Sequence, residues 1–410
     1  MQCFILLSSF LCAVNCLPQA WLLVGQAVRM AQDLGLHVSP ILLIIELVMI
    51  LTIVYLQRFT RHLAITPVEK QVRRKVFWGV YSLDRMLALT LGRPLGIEDT
   101  DCDAEYPVEY DDDDLLEYFS GGQMQRSQPS LMAGFIALVD LYKIAGRVCR
   151  QIYGIDKCKD NLEPEKVQEL VESAAQLDKE LTEWCNILPS VFKSNPATEA
   201  QVSMGAVLCS HYYSILTTLH RNFLPITQYQ NPVSSSSLKA VHTARSCIRL
   251  APSVKNVVPS SHHLAFFIQH LFSSAVIILL YAMHIPDKEA ARAAMIEAES
   301  CMDVVSAWEG IWPGARKCKE LLSDLSNTAR EAINRGPPVQ RNRMDSNSPF
   351  NKVASPTSPQ RTSHFQRNTS GRVIKSKPSR GKSRDSPERR RSQSAQRSRS
   401  IAPGPSGLCM

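Results

Sequence analysis

The sequence lacks the short motifs that mark many enzyme active sites. It contains no GxxxxGK[ST] or GxGxxG loop for binding phosphates, and no HExxH or GxSxG motif for metal-assisted or nucleophilic hydrolysis. It also lacks runs of alternating apolar and polar residues, which would indicate half-buried strands. A helical enzyme would need some other constellation of acid, base and nucleophile, and the sequence offers none. We therefore expect a protein that is not an enzyme, with no catalytic, cofactor-binding or metal-ligating residues.

Paired cysteines are also missing, although the chain has 12 cysteines. They are scattered and form no CxxC pair, so the closely spaced thiolates that hold zinc are not supplied. His263 and His270 lie seven residues apart on one predicted helix but lack a third ligand. The run from Asp111 to Asp114 lacks the spacing of a metal-binding loop. We expect buried thiols in a reducing compartment, and no metal at the histidines or aspartates.

The most informative segment begins with a helix start signal. Thr66 is followed by a proline and then by Glu69, which is the pattern of a capping box. Six apolar residues then recur every three or four positions, which puts them on one helical face. Gly92 and Pro94 end the pattern, so the spacing predicts an amphipathic helix over residues 67–91 and an acidic loop after it. The six apolar residues are Val72, Val76, Val80, Leu83, Leu87 and Leu91.

Helical periodicity returns along the chain as far as residue 334, and prolines fall in the gaps between the periodic segments. We predict an all-α fold, a multi-helix array with a disordered basic C-terminal tail. The further helices are expected at residues 129–153, 163–186, 197–224, 235–252, 260–284, 286–308 and 314–334.

The expected tail differs from the rest of the chain in charge. From Arg335 onward there are 17 Lys and Arg against 3 Asp and Glu, a net charge of +14. Because the whole chain carries +8, the preceding residues carry −6. Few apolar residues and many Ser, Arg and Pro predict disorder in residues 335–410.

Two short patterns in the tail suggest how it is used. Basic residues clustered in 375–391 suit a nuclear import receptor or phosphate groups. Four serines precede prolines, and phosphorylation by a proline-directed kinase would cancel positive charge there. The import candidates are Lys375, Lys377, Arg380, Lys382, Arg389, Arg390 and Arg391, and the phosphorylation candidates are Ser348, Ser355, Ser358 and Ser386.

Two apolar segments near the N-terminus raise the alternative of a membrane-associated helical protein. Residues 3–14 resemble the core of a signal peptide but lack the basic flank that usually precedes it. Residues 41–56 are apolar apart from Glu46 and Thr52, but they fall short of the roughly 20 residues that a membrane-spanning helix needs. A carboxylate at the centre of such a helix adds a further cost. In this alternative, residues 41–56 are the anchor.

Residues 73–107 resemble the fungal-specific transcription factor domain, the middle homology region of fungal zinc binuclear cluster regulators. That family shows a basic and aromatic helix start, an Asp-Arg pair, then Gly-Arg-Pro and an acidic loop that ends in proline. Upstream, residues 21–37 are similar to the helix that the family places just before this one. The matching residues are Arg73, Arg74, Phe77, Trp78, Tyr81, Asp84, Arg85, Gly92, Arg93, Pro94, Asp99, Asp101 and Pro107.

The resemblance implies the regulatory domain of a fungal nuclear transcription factor that controls transcription by RNA polymerase II. In the family a zinc cluster reads DNA, and the helical domain controls activity through small molecules or partner proteins. Because the paired cysteines are missing, DNA contact is expected only through an absent module or weakly through the basic tail, and zinc only in that module. The expected partners are co-regulators or the transcription machinery, a small-molecule inducer and a second copy of the chain.

The resemblance also divides the chain into parts. Residues 1–37 are expected to be the N-terminal helical part of the regulatory domain, and residues 66–334 its remainder. Residues 38–65 are an atypical apolar insertion, since the family joins the two parts through a short polar loop. We interpret part of 38–60 as non-native sequence, for example from an unspliced intron in a truncated gene model.

Within the motif, Asp84, Arg85 and Arg93 are expected to form a buried or half-buried polar network. It would tie the end of the helix to the acidic loop. Asp84 beside Arg85 also suggests catalysis, but neighbouring residues on a helix point in different directions. We therefore expect a structural role, or a regulatory one if a ligand competes for the network.

Overall fold

The computed structural model describes residues 1–38, 65–122, 129–157, 163–224, 235–252, 254 and 262–335. These residues form eleven α-helices with no strand among them, and they belong to one compact unit, Met1–Arg341. The all-α prediction is therefore confirmed. The helices are α1 (Gln2–Ala13), α2 (Leu17–Asp33), α3 (Pro67–Leu91), α4 (Leu115–Phe119), α5 (Leu131–Gln151), α6 (Pro164–Ile187), α7 (Glu199–Arg221), α8 (Ser235–Arg249), α9 (His262–His284), α10 (Lys288–Ser306) and α11 (Pro313–Arg335).

The helix ends agree with the sequence pattern because they are set by local signals. α3 spans Pro67–Leu91 as predicted, and the seven later helices that were predicted end within three residues of the expected positions. Oxygen atoms of the Thr66, Ser130 and Thr198 side chains each accept a hydrogen bond from the backbone N–H three residues on. Such caps satisfy N–H groups that have no partner inside the helix.

The helices pack around two apolar cores. The first is built from α1, α2, α3, α5, α6 and α7. The second lies between Leu224 and Ala329 and is built mainly from α8, α9, α10 and α11. α9 takes part in both, since Phe266 belongs to the first core and Phe267 to the second.

α3 is the central helix of the first core. Every residue from Phe77 to Leu89 is buried except Gly79, which is half-buried. The sequence predicted one apolar face, but the C-terminal half of α3 is buried on all faces. In the first turns, Val72 of the predicted apolar face is instead 40% exposed. α1, α2, α5 and the segment after α3 surround the C-terminal half of the helix, which explains its burial on all sides.

One described helix, Ala265–His284, is long and apolar enough to cross a membrane. Of its most apolar window, 61% is buried inside the protein. It lies against α8, α10 and α11, so packing in the second core explains its composition. The anchor proposed at residues 41–56 lies outside the described residues. So do the expected insertion at 38–65, apart from residues 38 and 65 themselves, and the tail beyond Arg335 with its import and phosphorylation candidates.

Candidate functional site

The segment after α3, which we call the return loop (residues 95–114), runs back along that helix. α3 ends because Gly92 adopts a left-handed φ of 64° and the N–H of Arg93 donates to the carbonyl oxygen of Ala88 (3.1 Å). Glycine takes this conformation at little cost, and the chain reverses there. The loop then contacts α3 from Asp84 near its C-terminus to Gln71 near its N-terminus.

Arg85 is a cation at the centre of the site, and its side chain is fully buried. Nη1 lies 3.0 Å from Oδ2 of Asp84. Nη2 donates to Oδ1 of Asp99 (2.8 Å) and to the carbonyl oxygen of Ile97 (2.9 Å). The guanidinium carbon lies 3.6 Å from the centre of the Tyr81 ring, which is a cation–π contact. These partners compensate for the cost of burying the positive charge.

Asp84 is the buried anion beside it, with a side chain that is 3% exposed. Both of its oxygens lie 3.0 Å from the backbone nitrogen of Gly96, and Oδ2 also accepts from Ile97 N–H (3.3 Å). Burial raises the pKa of Asp84, and the charge of Arg85 and the two backbone amides oppose that rise. Although Asp84 and Arg85 are neighbours on a helix, their side chains meet, so the expectation that they point apart is wrong.

Asp99 connects the loop to two helices. Its Oδ1 accepts from the Tyr81 hydroxyl (2.5 Å), and its Oδ2 accepts from Nη1 of Arg150 in α5 (2.6 Å). Arg150 also pairs with Glu98 (2.8 Å). Desolvation acts to raise the pKa of Asp99, but the bonds from Tyr81 and Arg150 and the charge of Arg85 lower it overall. Asp99 therefore stays ionised as the shared partner of α3 and α5.

The middle of the loop is held by an aromatic and cationic group. Nε1 of the buried Trp78 donates to the carbonyl oxygen of Glu105 (3.1 Å). Arg74 donates through Nη1 to the carbonyl oxygen of Tyr106 (3.3 Å), and its Nη2 pairs with the Glu105 carboxylate. The Trp78 and Tyr106 rings lie 5.0 Å apart, centre to centre. The motif residues of α3 thus bind backbone atoms of the loop one turn after another.

α5 supplies residues that sequence reasoning missed. The Tyr106 hydroxyl donates to Oδ1 of Asp140 and accepts from Nζ of Lys143. Lys143 Nζ also lies 4.9 Å from the centre of the Trp78 ring. Burial and Asp140 both raise the pKa of Tyr106, so its hydroxyl keeps its proton. The available signal was the spacing of Asp140, Lys143, Arg147 and Arg150, which forms a polar stripe on an otherwise apolar helix.

The end of the loop is fixed to the first turns of α3. Oε1 of Gln71 accepts from the backbone N–H of Val108 (2.9 Å), and Lys75 pairs with Asp112. Asp112 belongs to the acidic run that was weighed as a metal loop. Among the described residues, no group of three or more His, Cys, Asp or Glu side chains has the arrangement to hold a metal.

The remaining motif residues lie at the edges of the site. Arg93, expected in the Asp84 network, is placed elsewhere: its guanidinium carbon lies 4.6 Å from the centre of the Trp21 ring in α2. Arg73 is half-buried on α3, and Gly92 and Pro94 are exposed in the turn after it. The structure therefore brings Arg74, Trp78, Asp84 and Arg85 together through the return loop.

The buried titratable groups elsewhere favour neutral forms. Burial raises the pKa of Cys12, Cys247 and Cys301 to about 12, and all ten cysteines in the described parts of the chain are free thiols. Burial lowers the pKa of His270 to about 3. The side chain of His263 lies outside the described residues. The arrangement is suited to holding a loop against a helix, since its carboxylates are occupied by cations and amides.

Comparisons with known proteins identify the region that contains this site. The family model described as "Fungal specific transcription factor domain" matches residues 1–186. The chain is 27% identical over 292 residues to an uncharacterized transcriptional regulatory protein of Schizosaccharomyces pombe, covering 68% of this chain and 34% of that protein. It is 28% identical over 207 residues to a transcriptional activator protein of Neurospora crassa, covering 49% of this chain and 19% of that protein.

A third relative extends the similarity beyond the family match. The chain is 23% identical over 350 residues to cutinase transcription factor 1 beta of Fusarium vanettenii, covering 77% of this chain and 37% of that protein. The chain thus spans between 19% and 37% of the length of these three relatives. No solved structure matches it.

Proposed function

We propose that the protein regulates transcription by RNA polymerase II in the nucleus, because residues 1–186 match the model of the fungal specific transcription factor domain. The match over residues 1–186 carries this proposal, since it contains α3, the return loop and their shared contacts. The relatives are named as transcriptional regulators and not as enzymes. We assign the helical domain a regulatory role and no catalytic one.

The return loop is the element through which we propose that regulation acts. Its contacts with α3 are polar and mutually dependent, since Asp99 is shared by Tyr81, Arg85 and Arg150. A small-molecule inducer that supplied another anion to Arg85 or Arg150 would compete with Asp99 and shift the loop. Such a ligand changes activity only if it binds the protein with the shifted loop more tightly than the protein with the loop in place.

Specific DNA recognition is proposed to lie outside these 410 residues. None of the 12 cysteines forms a CxxC pair, so a zinc cluster has no ligands here. The basic tail adds at most weak contact with DNA, which depends on salt and not on sequence. Zinc would then belong to a separate DNA-binding module.

The tail also carries the proposed route to the nucleus. Residues 375–391 contain eight lysines and arginines against two acidic residues, which suits an import receptor. Phosphorylation of Ser386, which lies within this cluster, would reduce its charge. Co-regulators or the transcription machinery, and a second copy of the chain, are the proposed protein partners.

A tethering experiment tests the regulatory function. The full chain is fused to a heterologous DNA-binding module and expressed in a fungal cell with a reporter gene under that module's operator. We expect reporter output to differ from that of the module alone, and a fluorescent tag on the unfused chain to accumulate in the nucleus. Removal of residues 375–391 should reduce that accumulation. Unchanged reporter output from a folded, nuclear fusion would overturn the proposal.

A further inference from the structure

The end of the return loop forms a fixed base between α3 and α5. The hydroxyl of Ser130 donates to the carbonyl oxygen of Glu109 (2.9 Å), and the N–H of Met132 donates to Oδ1 of Asp111 (3.2 Å). Leu115, the first residue of α4, is only 4% exposed and anchors that helix to the protein. The backbone leading into α4 is therefore held from both sides.

Three large apolar side chains of α4 nevertheless face solvent. Leu116 is 74% exposed, Tyr118 is 37% exposed and Phe119 is 38% exposed. The ring centres of Tyr118 and Phe119 lie 5.0 Å apart, and the ring centres of Tyr110 and Tyr118 lie 4.2 Å apart. Single exposed apolar residues are ordinary, but adjacent ones on an anchored element mark an interaction surface.

Carboxylates surround these side chains. Asp112 has a side chain that is 81% exposed, and Asp113 and Glu117 are exposed as well. Lys75 pairs with Asp112, but residues 111–119 themselves contain five Asp and Glu and no Lys or Arg. A partner that approaches this surface therefore meets negative charge around an apolar centre, and a basic rim on the partner would attract it.

We propose that residues 112–119, which we call the acidic–apolar surface, dock onto a co-regulator protein through an apolar groove bordered by lysines or arginines. Apolar and acidic residues in alternation are typical of segments that recruit the transcription machinery. Here such a segment is displayed on a folded domain, so less ordering entropy is lost on binding than for a disordered one. The proposal rests on the proposed regulatory function and names the partner surface it requires.

The test uses the same tethered full chain and two pairs of substitutions. Leu116→Ser with Phe119→Ser removes the apolar centre, and Asp113→Asn with Glu117→Gln removes two charges of the rim. Loss of a central apolar anchor weakens protein binding by about 30-fold, which corresponds to about 2 kcal/mol. We expect the first pair to reduce the chain's effect on the reporter by roughly tenfold, and the second pair to reduce it less.

Matched controls separate this effect from a loss of folding. Ile187→Ser changes an apolar side chain that is 79% exposed at the end of α6, far along the chain from the surface. Glu320→Gln removes an exposed charge on α11. Both should leave the reporter output unchanged. Thermal melting of each purified chain should show that all four variants unfold within a few degrees of the unmodified protein.

The outcomes distinguish this inference from the proposed function. If the unmodified fusion does not alter the reporter, the proposed function fails. If it does, and Leu116→Ser with Phe119→Ser leaves output unchanged, the acidic–apolar surface is not the docking site. Sedimentation of the purified chain adds another decisive result: a dimer that this pair converts to monomer would make a second copy the occupant and overturn the proposal.

Discussion

Arg85 and Asp99 are joined by a hydrogen bond of 2.8 Å between Nη2 and Oδ1, although one residue belongs to α3 and the other to the loop that follows it. Asp99 also binds Tyr81 and Arg150. The pair formed by the fully buried Arg85 guanidinium and Asp99 therefore connects α3, the return loop and α5. Because its partners are themselves shared, removal of this cation should affect the whole site.

Replacement of the Arg85 side chain tests that dependence. Arg85→Met keeps the length but leaves the buried Asp84 carboxylate without its cation. Breaking a buried ion pair in this way typically costs about 3–5 kcal/mol. We expect the free energy of unfolding of the full chain, measured by urea denaturation, to fall by that amount.

A control and a second variant make this prediction specific. Arg330→Ala breaks an exposed pair with Glu299 and should cost at most about 1 kcal/mol. Arg85→Met combined with Asp84→Leu removes both buried charges, so the double variant should be more stable than Arg85→Met alone. Equal stability of Arg85→Met and the unmodified chain would show that the buried pair contributes nothing.

The fold was predictable from the sequence because its helices are marked by local signals. Thr66 and Gly92 bound α3, and both act through the backbone within a few residues. The burial of α3 on all sides was not predictable from its own residues, since it depends on α1, α2 and α5 packing around it. The amphipathic pattern of α3 places Val72 on the apolar face, yet Val72 is 40% exposed. Its exposure depends on where the neighbouring helices lie, which the sequence of α3 alone does not give.

Gly92 offers a test of backbone conformation alone. Its φ of 64° strains any residue with a Cβ atom, although no neighbouring atom lies within 4 Å of that position. Gly92→Ala should therefore destabilise the chain by about 1 kcal/mol. Gly25 is the matched control, because its Cβ position is also open but it lies in α2 with ordinary helical φ.

The stabilities of the two glycine variants should change in opposite directions. Gly25→Ala is expected to stabilise the chain by up to about 1 kcal/mol, since alanine is the better helix former. Thermal melting of both variants checks the sign directly. A Gly92→Ala variant that melts at or above the temperature of the unmodified protein would contradict the left-handed end of α3.

Gly205 in α7 is fixed by a close approach instead. A Cβ atom there would lie 2.4 Å from the carbonyl oxygen of Phe192, which belongs to a short 3-10 helix. Because the clashing atom is backbone, the segment from Ser190 must shift to admit a methyl group. Gly205→Ala should cost about 1–3 kcal/mol in urea denaturation, whereas Gly25→Ala should not. An unchanged denaturation midpoint would contradict the close approach of the Phe192 carbonyl group to Gly205.

The site was predictable in part, and the missing part is long-range. The motif residues Arg74, Trp78, Asp84 and Arg85 were identified from their family pattern, but their partners could not be. Asp140 and Arg150 lie on α5, and nothing in their local sequence shows that α5 packs beside the return loop. Arg93 was expected in the same network, but its guanidinium packs on the Trp21 ring in α2.

Asp178 in α6 gives a prediction about pH. Oδ1 lies 2.9 Å from Nε2 of the buried His220 in α7, and Oδ2 lies 2.7 Å from Nζ of Lys239 in α8. The bond with His220 is the main reason that the pKa of Asp178 is lowered to about 2. An unfolded Asp titrates near 3.9, so the ionised form is favoured by folding.

The sign of the pH effect follows from this difference. A carboxyl group whose pKa is lower in the folded state stabilises the protein above its unfolded pKa, and the contribution is lost as pH falls from about 4 to about 2. The lowered pKa corresponds to about 3 kcal/mol at most. Asp178→Asn should therefore be less stable than the unmodified chain at pH 6, and the difference should shrink steadily below pH 4.

Asp156→Asn, in the turn after α5, is the control for charge alone. Urea denaturation at a series of pH values measures the stability of both variants. If Asp178→Asn and the unmodified chain differ by the same amount at pH 6 and at pH 3, the proposed role of the ionised carboxylate is contradicted.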